Sequence, residues 1–204
     1  MPRVGKPDLK QGLLEAGLRC FARRGYHAAT MDEIAAEAGV SKGAIYWHYK
    51  DKQELFLSIM RERGQALEAA GARAIAGTPP GQGDPGDILA AIMIAIFRFY
   101  AENREFASLL GLLRSGNDAP FGEALFRELT EFYRRARTQF VPLFTFGIEK
   151  GHFTEAPPHT LAAWVLATID GTVMQWVIDP EEIDLPAVAE VLSRQFVRAL
   201  RKSA

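Results

Sequence analysis

One cysteine stands among 204 residues. Cys20 can form no internal disulfide and cannot by itself build a cysteine zinc site. It falls in a helical stretch beside Phe21 and is expected to be a small core residue rather than a redox sensor. The chain has no phosphate-binding glycine loop, no metal-binding histidine pair and no Ser/His/Asp grouping with a recognisable local context. Catalysis, a cofactor and a bound metal are therefore not expected. His48 has no second ligand nearby at helical spacing. Glu149, His152 and His159 surround one loop, and a metal site there is not expected. Long apolar runs are missing too. Residues 161–178 come nearest, but Asp170, Gly171 and Gln175 interrupt them, so a membrane span is not expected. Residues 1–10 lack the apolar core of a signal peptide, which points to a cytoplasmic protein with no membrane partner. A net charge of −1 argues against a general nucleic-acid coat.

The charge that is present is unevenly placed. Residues 1–52 carry nine Lys/Arg and six Asp/Glu, a balance of +3, which leaves −4 for the remainder. A mildly basic head on an acidic body suits a protein that touches DNA with one end. An apolar fraction of 48% permits a sizeable buried core.

Apolar residues recur at three- and four-residue steps through most of the chain, and no segment alternates as a strand would. A first helix is expected over residues 8–24, ending at Gly25. Thr30 with Glu33 forms a capping box that opens a second helix, which stops at Gly39. Ser41 caps a third, near 42–49, and Asp51 a fourth from about 53. Residues 77–86, rich in Gly and Pro, read as a non-helical linker. Further helices are expected at 88–101, 104–114, 122–147, 160–178 and 185–202, with residues 116–120 and Pro157-Pro158 as breaks. The fold class is all-α: an N-terminal three-helix helix-turn-helix domain (1–52) and a C-terminal helical ligand-binding and dimerisation domain (53–204).

The segment 30–50 carries the function. Two short helices joined by a tight turn at Gly39 read as a helix-turn-helix. Ala35 permits close approach, and Ile34, Val40 and Ile45 can form a shared core. Lys42, Gly43, Ala44, Tyr46, Trp47 and His48 are then left on the face that enters a major groove. Small residues at Gly43 and Ala44 let the helix start press close to DNA, where its free N–H groups favour a phosphate. Tyr46, Trp47 and Tyr49 cannot all face out, and Tyr49 reads either as packed with its hydroxyl exposed or as a surface residue.

In residue type and spacing, Phe21-Ala-Arg-Arg-Gly-Tyr26, Ile34-Ala, Ala38-Gly-Val-Ser-Lys-Gly-Ala-Ile-Tyr46 and His48-Tyr-Lys-Asp-Lys-Gln-Glu-Leu-Phe56 resemble the DNA-binding domain of the TetR family of bacterial transcriptional regulators. The likeness covers about a quarter of the chain; beyond it the chain is similar in helix pattern and length. The resemblance implies phosphate contacts from Thr30, Tyr49 and Lys52, with Tyr46 and His48 at the DNA surface. Ser41, Lys42, Gly43, Ala44 and Trp47 would face bases or nearby backbone, and Arg3, Lys6 and Lys10 could add an arm. It further implies a homodimer on double-stranded, pseudo-palindromic operator DNA and a small hydrophobic effector, drug-like or acyl-coenzyme A-like, that releases a repressor from it. A regulator of the same fold governed by a protein partner, or with no inducer, is the alternative.

On that resemblance the aromatic-rich body holds the effector, with Phe97, Tyr100, Phe106, Phe132, Phe140 and Trp164 as candidate pocket residues. Arg127, Arg134, Arg135 and Arg137 share one helix and are either solvated surface or an anion site. Asp170, inside an apolar helix, has three readings: it meets solvent, pairs across a dimer or attracts a cationic ligand. The last two helices show apolar faces wider than one chain needs. Leu161, Trp164, Val165, Thr168, Gly171, Thr172 and Gln175 mark one, and Val188, Val191, Leu192, Gln195, Phe196 and Ala199 the other, as a four-helix dimer interface would require.

Overall fold

The computed structural model describes residues 9–78, 82–114 and 122–202. Among them are nine helices: α1 (Leu9–Ala28), α2 (Met31–Glu37), α3 (Lys42–His48), α4 (Lys52–Ala74), α5 (Pro85–Glu102), α6 (Arg104–Arg114), α7 (Gly122–Glu149), α8 (Pro158–Ile178) and α9 (Leu185–Leu200). No strand occurs among the described residues, only an isolated antiparallel bridge between Phe153 and Arg201. The fold is all-α. It divides into two compact units: residues through Arg63 together with Ser108–Glu128, and Gly64–Ala107 together with residues from Leu129 onward.

In the first unit the apolar stripe of α1 is the organising surface. Leu13, Leu14, Leu18 and Phe21 are buried with Ile34, Ile45, Leu55, Phe56 and Ile59. Phe21 meets Phe56 edge-on at 5.2 Å and lies stacked on Tyr26 at 5.6 Å. A Cβ on Gly17 would come within 2.9 Å of Ile59 Cδ1, so a larger residue there would have to displace the end of that side chain. Gly25 ends the regular part of α1, at φ 74°, ψ 165°; one further turn follows it to Ala28. Cys20 is buried in this core, and burial pushes its thiol up.

In the second unit α5 packs along α9 and both meet α8. Leu89, Met93, Phe97, Phe144, Phe153, Val165 and Leu185 are fully buried there. The linker expected over 77–86 is corrected at its end: Pro85 and Gly86 are the first turn of α5. Asp84 caps that turn, accepting from the Gly86 and Asp87 amides at 2.8 and 3.2 Å. Proline at the first helical position loses no hydrogen bond there, which is why a Gly/Pro-rich string can still start a helix. Asp84 also receives the Arg201 guanidinium at 3.0 Å, so it joins the start of α5 to the end of α9. Pro79, Pro80 and Gly81, and the expected break at 116–120, lie outside the described residues.

Candidate DNA interface and effector cavity

The helix-turn-helix is built from α2, the turn at Gly39 and α3. The capping box is complete: the Thr30 amide donates to Glu33 Oε2 at 3.0 Å, and the Glu33 amide to Thr30 Oγ1 at 3.2 Å. The Thr30 hydroxyl, aided by Arg24, holds the Glu33 carboxyl below its usual value. Gly39 takes φ 70°, a left-handed turn that a residue with a Cβ enters only at a cost. Ser41 caps α3 through the Ala44 amide at 3.3 Å. Ile34, Ala35 and Ile45 are buried between the helices, whereas Val40 is only half-buried. Arg19 pairs with Glu37 at 2.8 Å, Arg23 also reaches Glu37, and Arg24 reaches Glu33, so α1 clamps the outer side of α2.

This frame leaves one face of α3 in water. Trp47 is 81% exposed and Tyr46 44%, an unusual state for large aromatic side chains. Lys42 and Gly43 are exposed, and Ala44 and His48 are half-buried. Lys42 Nζ lies 2.8 Å from Asp32 Oδ2 on α2, and that partner raises its pKa. A Cβ on Gly43 would meet nothing closer than Ser41 Oγ at 3.9 Å, so packing within the chain does not require glycine there.

Two residues grouped with this face in sequence take other positions. Tyr49 is 3% exposed and its hydroxyl is buried with it, so it is a packing residue that turns no oxygen to the surface. The Lys52 ammonium donates to three carbonyls that follow the break in α1: Tyr26 at 2.7 Å, His27 at 3.1 Å and Ala29 at 2.7 Å. It also lies 4.3 Å from the centre of the Tyr26 ring. Three protons meet three acceptors, and burial pushes the ammonium's pKa down. Sequence reasoning missed this clamp because the Gly25 break and Lys52 are brought together only by the packing of α1 on α4. The proposed arm residues Arg3 and Lys6 lie outside the described residues, and Lys10 is exposed at the start of α1.

The second unit holds a cavity of about 270 Å³, partly open to solvent, between α4, α5, α7 and α8. Three of the six candidate pocket residues, Tyr100, Phe132 and Phe140, line it. Phe97 and Phe106 are core residues that do not reach it, Phe106 lying parallel to Tyr100 at 6.3 Å. Trp164 is 46% exposed and packs on Phe196 at 4.2 Å. The wall contributed by Leu67 and Gly71 of α4 and by Ile75 just past its end had not been foreseen; the apolar spacing there read only as an amphipathic helix. Two carboxylates also line the cavity, Glu68 and Asp170. Asp170 accepts a hydrogen bond from the Tyr133 hydroxyl at 2.7 Å. The arginines of α7 do not line it: Arg135 pairs with Glu68 at 3.1 Å and Arg134 with Glu131 at 2.6 Å. No group of three metal-ligating side chains occurs among the described residues, and His152 Nδ1 lies 3.4 Å from Asp84.

Two family profiles match the chain. Residues 13–59 fit the N-terminal domain described as bacterial regulatory proteins, tetR family, and residues 85–201 fit the BetI-type transcriptional repressor C-terminal domain. The chain belongs to the TetR family. It is a helix-turn-helix, DNA-binding transcriptional regulator. The fatty acid metabolism regulator protein of Bacillus subtilis is 27% identical over 191 residues, covering 92% of this chain and 93% of that one. The crystal structure of FadR from Bacillus subtilis, in complex with stearoyl-CoA, superposes with a TM-score of 0.77 at 22% identity over 94% and 99% of the two chains. SmeT, the repressor of a Stenotrophomonas maltophilia multidrug efflux pump, superposes in its triclosan complex with a TM-score of 0.79 at 24% identity over 96% and 93%.

This TetR-family chain also has an apolar face without a partner of its own. On α8, Trp164, Ala167, Gly171, Gln175 and Ile178 are exposed at steps of three and four, and on α9 so are Val191, Gln195 and Ala199. Leu161, Val165 and Phe196, expected on the same faces, are instead buried within the chain. By length and composition α8 could cross a membrane, with a third of its most apolar window buried. A core helix with one face left over meets the same description, and here α5 and α9 cover the other faces.

Proposed function

We propose that the protein is a cytoplasmic repressor that binds a pseudo-palindromic operator as a homodimer and leaves it when a small, mostly apolar effector fills the cavity. The cavity carries this reading, because a regulator governed by a protein partner alone needs no empty space in its core. The roles follow from exposure. Trp47 and Tyr46 lie where they can meet base edges or sugars, and Lys42 reaches a base or phosphate once it leaves Asp32. Gly43 weakens α3 by about 1 kcal/mol relative to alanine with no packing need in the chain; close approach of the DNA backbone accounts for it. Thr30, Ser41, Ala44 and His48 complete the surface. Tyr49 and Lys52 act from within, fixing where α3 and the end of α1 sit.

The dimer is assigned to the exposed faces of α8 and α9. Two recognition helices related by a two-fold axis read two half-sites about one DNA turn apart, or a multiple of it. Selection from a random duplex library by the purified full chain tests this. An enriched sequence with two-fold symmetry is expected; enrichment of an asymmetric site, or none, refutes it.

A further inference from the structure

We propose that Asp32 is a specificity-determining residue for DNA: its carboxylate holds the Lys42 ammonium off the phosphate backbone, so that the chain binds random duplex weakly while keeping its affinity for an operator. The inference rests on the reading that Lys42 faces DNA, and adds what controls that lysine.

The acids of α2 are not equivalent. Glu37 receives Arg19 and Arg23, and Glu33 receives Arg24. Both face α1 and hold the helix-turn-helix on its support. Asp32 serves the other side. Its Oδ2 accepts from Lys42 Nζ at 2.8 Å, ten residues on, at the start of α3. That ammonium lies 5.9 Å from the centre of the exposed Tyr46 ring, so the pair shares the open face of α3. The two side chains are 66% and 59% exposed. An ion pair this open to water adds little to stability, and Thr30 with Glu33 already caps α2. What the pair does change is the charge on the surface offered to DNA.

Phosphate contacts supply nearly all of the binding to random DNA. A lysine free in water takes a phosphate wherever the helix lands. Held by Asp32, it must first give up a carboxylate, which then stands among phosphates without its cation. Random sequence returns one anion for another. An operator returns more: acceptors on base edges take the ammonium, and Trp47 and Tyr46 add contacts that carry no charge. The carboxylate therefore penalises random sequence more than the operator, which is how a repulsive element builds specificity. Most of the positive charge nearby is engaged as well. Arg19, Arg23 and Arg24 sit on the acids of α2, and Lys52 on backbone carbonyls. The state of Lys42 weighs the more heavily for that.

The test is anisotropy titration of the full chain, from low to moderate salt, against two labelled duplexes. One is the sequence enriched from the random library, the other a scrambled duplex of equal length and composition. Parent, Asp32→Asn, Lys42→Ala and the double variant are compared. At about 0.1 M salt Asp32→Asn should bind the scrambled duplex about tenfold more tightly, with a salt slope steeper by about one, as one added phosphate contact provides. Affinity for the enriched duplex should rise less, so the ratio of the two falls. In the Lys42→Ala background Asp32→Asn should change scrambled binding by less than about twofold, because the lysine it releases is gone. Asp32→Ser removes the same charge and should behave alike; melting temperatures check that each variant is folded. No gain on the scrambled duplex overturns the inference, as does an equal gain on both duplexes. A gain that persists without Lys42 overturns it too, since a general charge effect then explains it. If Lys42→Ala still weakens the enriched duplex, these failures leave Lys42 as a DNA contact. If Lys42→Ala changes neither duplex, the reading of Lys42 falls as well.

Discussion

Replacing Lys52 with methionine separates two roles that one lysine could have, a phosphate contact or an internal clamp. Methionine keeps the length and apolar stem of the side chain and removes the ammonium. Three hydrogen bonds to the Tyr26, His27 and Ala29 carbonyls are lost, together with the contact over the Tyr26 ring. Bonds from a charged donor contribute about 1.5–3 kcal/mol each when fully desolvated. Lys52 is only half-buried, and three acceptors share one cation, so about 1 kcal/mol each is the better figure. A loss of about 3 kcal/mol lowers the melting temperature of a chain of this size by about 6–12 °C. Thermal unfolding of parent and variant reads this directly. Operator binding measured from low to moderate salt reads the other role, since each phosphate contact adds close to one unit to the slope of log affinity against log salt. The clamp predicts a large fall in melting temperature and an unchanged slope. A melting temperature within about 1 °C of the parent, with a slope smaller by about one, would show that Lys52 serves DNA and that the reasoning is wrong.

Lys42→Ala is expected to weaken operator binding about tenfold more than binding to random DNA; equal loss on both, at matched salt, would remove Lys42 from base readout. Gly171→Glu places a charge on the α8 face where a Cβ meets nothing in its own chain, and should yield a folded monomer by sedimentation velocity; an undisturbed dimer would move the interface elsewhere. Burial alone would raise the Glu37 pKa, but the hydrogen bonds and charges of Arg19 and Arg23 outweigh it and hold it below the usual 4.5. A carboxyl depressed in the folded state stabilises above its unfolded value and loses that contribution as pH falls through the folded one. Glu37→Gln should therefore be less stable than the parent near neutral pH, with the gap in urea midpoints closing below about pH 4.5. A gap that stays constant down to pH 3 would sink the argument.

Short-range physics made the helix-turn-helix legible in the sequence. Thr30 and Glu33 are three residues apart, Ser41 precedes its own helix, and Gly39 needs a left-handed turn. Each is a local rule of capping or backbone geometry, so α2 and α3 were placed within a residue of where they lie. The exposed aromatics of α3 followed from the same helix periodicity. The surroundings that the sequence left open depend on contacts far apart in the chain. Tyr49 is buried directly after an exposed stretch of α3, and Lys52 finds its acceptors 23 to 26 residues away. The cavity is the extreme case. Its wall comes from four helices, and an aromatic residue facing it has the same spacing as one facing solid core. Tyr100 and Phe97 therefore looked alike, yet only Tyr100 lines the space. Asp170, open to three readings in the sequence, lies beside Tyr133 on that wall. Periodicity determined an all-helical protein, and the helix-turn-helix segment with its family resemblance pointed to DNA; tertiary packing alone decided which faces close on each other, and so where the cavity lies.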